Sequence, residues 1–263
     1  MKKISALILI TALLLSLLAL SSCNNGGNEG EGAGEGNTPP NSNVTDTLAG
    51  QTPEQLYQSV KDKLADAKSY VVDSTQVIVM TQGEESMTMN QTVINKVDGD
   101  NNYIKMYNDM TTAANMEIWY VDGIIYTSTA SGKIKAPVDK EDFMQNYMDK
   151  DPSESTLLDI PESWFEGISF EKETDEWVLK LTISEEKYEM YFSNIGLGAD
   201  IIGDVQYNVY FDEEGNLQKI TTVVDYTVQG VHCHCDTLSL VSYENIEITA
   251  PADADSYADG YLQ

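Results

Sequence analysis

From Tyr70 onward, apolar residues recur at every second position in short runs broken by turn residues. Val72, Val77 and Val79 come first, then Met87, Met89 and Val93, then Tyr103 to Tyr107, with Gln82-Gly83-Glu84 and Asp98-Gly99-Asp100-Asn101 between the runs. A period of two with β-branched and aromatic enrichment predicts half-buried antiparallel strands joined by tight turns. Trp119-Tyr120-Val121-Asp122-Gly123-Ile124-Ile125-Tyr126 sets Asp-Gly between two apolar runs, the strongest hairpin signal in the chain. Strands are predicted again over 168–172 and 177–183. The last third predicts four more: Val205 to Phe211, Leu217 to Val228, His234 to Ser242 and Ile246 to Thr249.

A helix precedes the strands. Thr52-Pro53-Glu54-Gln55 reads as a capping box with Pro at the first helical position, and Leu56, Val60 and Leu64 follow at i, i+4 and i+8 on a stripe ending near Lys68. Phe143, Met144, Tyr147 and Met148 lie at i, i+1, i+4 and i+5, predicting a second helix. Leu157, Leu158, Ile160, Trp164 and Phe165 form a more broken apolar patch near Pro152 and Pro161. Ser184-Glu185-Glu186 opens a segment with Tyr188, Tyr191, Phe192 and Ile195 that reads as helix, with strand as the alternative. Hairpins in series with a few helices predict an α+β domain dominated by a curved meander.

This order of elements resembles the LolA and LppX/LprG-like lipoprotein superfamily from about Thr52 to Tyr257. The resemblance is carried by the capped helix, the Trp119 to Tyr126 hairpin, the middle helices, the Tyr210-Phe211-Asp212 strand with its Glu-Gly-Asn turn and the closing Asn245-Ile246-Glu247-Ile248-Thr249-Ala250-Pro251. It implies an incomplete, half-open antiparallel β-barrel whose concave face is covered by helices, with lipid or acyl chains carried in the cavity between. On elements that would line such a cavity stand Met87, Met89, Met106, Trp119, Tyr126, Phe143, Met144, Tyr147 and Met148, the last four on a helix that would act as an adjustable lid. Met side chains adapt to irregular apolar shapes, although gap-filling in an ordinary core is the alternative use of each. The LolA carrier closes its lid with an arginine. This chain has no Arg, so neither that gating nor the partners of lipoprotein export carry over.

The N-terminus supplies the setting. Lys2 and Lys3 precede an apolar run from Ile4 to Leu20, and Leu20-Ser21-Ser22-Cys23 has the spacing of a lipobox. Residues 1–22 then form a lipoprotein signal peptide, and Cys23 receives a diacylglyceryl group and anchors the chain in the membrane; an uncleaved span is the alternative. Asn24 to Gln51 is almost wholly polar, Gly-rich and Glu-rich, a composition that cannot offset its ordering entropy, so residues 23–51 read as a disordered tether spanning roughly 30 Å. The folded domain occupies 52–263. Together these place it on the outer face of a bacterial cytoplasmic membrane.

Charge narrows the partners. With 43 acidic residues against 15 basic ones and a net charge of −28, the chain is unsuited to nucleic acid or to charge-driven docking on anionic bilayers. No protein partner is legible. No Gly-x-Ser-x-Gly elbow presents a serine to either of the two His, so neither an enzyme nor a cofactor is expected. Two alternatives to an amphiphile carrier remain: an envelope interaction domain with a filled core, and metal binding at His232-Cys233-His234-Cys235. In a flat strand these last four alternate between faces and reach one ion only if the chain bends at Gly230. Replacing the anchoring thiol, Cys23→Ala, is expected to abolish incorporation of labelled fatty acid while the domain folds unchanged. Continued labelling would contradict the lipobox reading.

Overall fold

A computed structural model describes residues 51–147, 164–173, 176–194 and 198–260. Cys23, the 24–50 segment, Met148, Leu157, Leu158, Ile160 and Ile195 lie outside the described residues, as do the side chains of Met144, Tyr147, Tyr191 and Phe192. Among the described residues three α-helices, α1 (Pro53–Asp66), α2 (Lys140–Tyr147) and α3 (Glu185–Asn194), accompany one sheet of 13 strands. The first six strands are β1 (Ser69–Gln82), β2 (Glu85–Asp98), β3 (Asn101–Asn108), β4 (Met116–Val121), β5 (Ile124–Thr129) and β6 (Gly132–Pro137). After α2 come β7 (Phe165–Glu173) and β8 (Glu176–Ile183), and after α3 come β9 (Asp200–Ile201), β10 (Val205–Phe211), β11 (Leu217–Val228), β12 (Val231–Ser242) and β13 (Ala258–Asp259).

The strand order is β13-β6-β5-β4-β3-β2-β1-β12-β11-β10-β8-β7, with β9 beside β11; only the β13–β6 pair is parallel. Strands β1 to β6 form one meander and β7 to β12 another. Their junction is β1 against β12, continuous from Val71↔Ser242 to Thr81↔His232. The sheet is not closed, and the fold is a half-open barrel. The hairpin turn at Asp122-Gly123 has φ of 51° and 78°, the left-handed pair that a two-residue turn needs to match strand twist.

All three helices lie on one face. Helix α1 begins with a complete capping box, the Thr52 hydroxyl accepting from the Gln55 amide while the Gln55 side chain accepts from the Thr52 amide. It buries Leu56, Tyr57, Val60 and Leu64 against Val72, Leu179, Val209 and Phe211. Four such side chains are each worth roughly 1.5–3 kcal/mol, which is why this short helix holds its place. Helix α2 contributes Phe143, fully buried and stacked on Tyr120 with centroids 4.4 Å apart. From α3, Tyr188 packs on a third cluster around Ile78, Met89 and Val224.

One strand expectation fails. Residues 243–250 form no ladder, although Ile246 to Thr249 alternates like a strand. The segment crosses the ends of β1, β2 and β3, where the flanking edges are already paired, and side chains satisfy it instead. Ile246 N–H donates to Ser69 Oγ at 3.3 Å, Ile248 N–H to Asp98 Oδ2 at 3.2 Å, and Asn101 Nδ2 to the Ile248 carbonyl at 3.4 Å.

Phe143 also departs from expectation. As an adjustable lid at a cavity mouth it would be partly exposed, but its ring is fully buried in the cluster of Ile104, Ile118, Tyr120 and Ile125. Phe143→Ala is therefore expected to cost about 3–5 kcal/mol of stability, read from the denaturant midpoint. A loss below about 1 kcal/mol would restore the lid.

Candidate functional site

Side-chain alternation along the ladder decides what each strand offers to the helix-covered face. Met89 and Met106 point there and are buried, while Met87 points there near the β1–β2 turn and is 37% exposed. Trp119 and Tyr126 pair across β4 and β5 on the opposite face. There Tyr257 meets both, edge-on, at 6.4 and 5.5 Å, Tyr103 lies 5.2 Å from Trp119, and Lys133 sits over Tyr257 while pairing with Asp253. Those two aromatics clamp the C-terminal segment to the outside of the sheet. They do not share a pocket with the methionines and Phe143.

The helix-covered face carries three apolar clusters, the first two of them bridged by Phe165 and Tyr207. One gathers Ile78, Met89, Val205, Val224 and Tyr226; a second lies under α1; a third, around Val93, Ile104, Met106 and Ile118, lies under Phe143. Between the first and the other two runs a row of polar side chains that the sequence reading missed. Asn108, Gln91, Gln76, Thr237 and Thr222 stand side by side on β3, β2, β1, β12 and β11, a strip about 19 Å wide at the usual strand spacing. Ser74 and Ser239 bond each other at 2.7 Å in the next row. Asn95 sits further along β2.

All of these but the half-buried Thr237 are buried, and several are incompletely satisfied. Gln91 is 2% exposed, Gln76 and Asn95 4% each, yet both polar atoms of Gln91, Oε1 of Gln76 and Oδ1 of Asn95 have no hydrogen-bond partner. Asn108 is occupied differently: its Oδ1 accepts from the Met110 and Thr111 amides, and its Nδ2 reaches Met89 Sδ at 3.0 Å. The signal was in the sequence. Once Val72 and Ile78 are fixed as inward positions on β1, Ser74 and Gln76 must point inward too.

The His-Cys-His-Cys segment does not converge. Gln229 and Gly230, both at positive φ, make the β11–β12 turn, and Val231 is already back in the ladder opposite Val228. Cys233 and Cys235 therefore face the helix-covered core, on the opposite side of the strand from the two His, and burial pushes both thiols up, Cys235 to about 11. His232 and His234 face outward. Asp225 Oδ1 lies 2.9 Å from His234 Nδ1 and 3.4 Å from His232 Nε2, and Asp236 Oδ2 lies 3.3 Å from His234 Nε2. Among the described residues no group of three or more His, Cys, Asp or Glu is placed to hold a metal ion.

The family model for DUF6612, a family of unknown function, matches residues 52–198, more than half of the chain. The chain belongs to the DUF6612 family. No curated protein matches this DUF6612 member. Solved structures similar to it include LprF from Mycobacterium bovis, at 14% identity and a TM-score of 0.36 over 76% of this chain and 95% of that one. LppX from Mycobacterium tuberculosis is similar at 10% identity and 0.35, covering 76% and 99%. A LolA superfamily protein from Nitrosomonas europaea is similar at 11% and 0.23, covering 71% and 91%.

The outward histidines carry a pH prediction. The hydrogen bond that the His234 ring donates to Asp225 raises the pKa of His234 above its ordinary value; partial desolvation opposes this, and the charges of Asp225 and Asp236 add to it. A folded-state value above the unfolded one gives stabilisation that is complete below about pH 6.5 and is lost as pH rises through the folded value. NMR titration is expected to show a raised His234 midpoint that falls toward about 6.5 in Asp225→Asn. An unchanged midpoint would remove Asp225 as the cause.

Proposed function

We propose that this DUF6612 member is a membrane-anchored extracytoplasmic lipoprotein whose half-open barrel binds a lipid or other amphiphile without catalysis. Cys23 is its anchor and the polar segment to Gln51 its tether. The observation that carries the reading is the division of the helix-covered face into three apolar clusters, each roofed from a different helix, with unpaired polar groups between them. Clusters under helices attached at different points can part to admit acyl chains, and Met80, Met89 and Met106 supply adaptable surface to meet them.

The test is native mass spectrometry and solvent extraction of the full-length protein purified from its membrane. A bound amphiphile that resists washing and is released on unfolding is the expected result. Protein free of extractable ligand, and unable to take one up, would favour an interaction domain. Such a domain would use the outward face, where Val223, Leu238 and Leu240 are 42%, 40% and 50% exposed.

A further inference from the structure

Gln76 and Gln91 are directly opposed across β1 and β2, within reach of a bond between their amides. They form none. Gln91 leaves a donor and an acceptor unused, Gln76 leaves an acceptor, and Asn95, about 13 Å along β2, leaves another. Buried polar atoms without partners are rare in folded proteins and call for an explanation. No Asp, Glu, Lys or His occupies the inward positions of the Gln76 row or of the two rows beside it. A charge brought there would be desolvated and left uncompensated.

We propose that this strip, centred on Gln76 and Gln91, is a headgroup site for an uncharged amphiphile bearing hydroxyl or amide hydrogen-bond donors. The assignment rests on the amphiphile-binding reading above and specifies its ligand. At Gln76 and Gln91 two vacant acceptor oxygens stand beside one amide nitrogen with two N–H donors, a complement that a hydroxyl or amide fills because it can both donate and accept. Phosphate and carboxylate groups, which only accept when ionised, meet the wrong complement. The flanking clusters fix the pose: the headgroup lies across the middle of the face, with apolar chains directed to both sides, toward Ile78 and Met89 on one and toward Val93 and Met106 on the other. The Ser74–Ser239 pair and the loop-bound Asn108 hold the neighbouring polar positions in place. The unpaired amides are thus the source of specificity, because a site built to bond a donor rejects the analogue lacking one.

The test is competition on the full-length protein in non-ionic detergent, read by native mass spectrometry. The mixture holds equal amounts of dioleoylglycerol, its acetyl-capped derivative without a free hydroxyl, and dioleoylphosphatidylglycerol. The parent is expected to retain dioleoylglycerol over each of the others by tenfold or more. The Gln76→Met, Gln91→Met double variant is expected to lose that preference while binding the capped probe as before. Its denaturant midpoint without ligand should be no lower than the parent's, since the change removes unpaired polar atoms. Equal retention of the three probes by the parent, preference for the phosphate, or a variant that keeps the parent's selectivity would overturn the headgroup assignment and leave amphiphile binding standing. A parent that retains none of the probes would overturn both.

Discussion

Strand β1 is hydrogen-bonded along both edges, to β2 over its whole length and to β12 over most of it. That double pairing joins the two meanders into one sheet, and the pleat then leaves no freedom about which face a residue serves. A one-residue slip would exchange every inward and outward side chain. The three clusters, the polar strip and the outward His232 and His234 all inherit their places from this register. So do the helices, which can attach only where the inward face presents apolar surface.

The polar strip is expensive. An unpartnered buried amide atom costs about 1–3 kcal/mol, and Gln76, Gln91 and Asn95 together carry four such atoms, a sum comparable with the whole stability of an ordinary domain, about 5–15 kcal/mol. The capped α1, the Tyr120–Phe143 stack and the long β1–β12 junction offset that cost. A ligand that supplies the missing partners would recover part of it, so binding and stability are coupled through the same atoms.

Local patterns were legible in the sequence, and long-range placement was not. Thr52 to Gln55 announced α1, Asp122-Gly123 announced its hairpin, and the segment after Ser184 is helical as its spacing predicted. The phase of β1 was misread because Val77 and Val79 are apolar yet point outward with Asp73 and Thr75, while Ser74 and Gln76 hold the inward positions. Trp119 and Tyr126 were grouped with the methionines as residues on elements that would line a cavity, although their parity puts them on the other face. Ile246 to Thr249 alternates well, but whether a strand finds a free edge depends on pairings between residues far apart in sequence. The β1–β12 junction, which decides all of this, has no local signature.

The central claim is that the vacant amides are partnered by a ligand, and a crystal structure of the full-length protein with its co-purified contents tests it most directly. The account predicts continuous non-protein density across the helix-covered face, with polar atoms within about 3.2 Å of Gln76 Oε1 and of the Gln91 amide, and apolar density entering the clusters on both sides. Amides bonded to each other or to ordered water, with the three clusters closed over them and no other density, would contradict it.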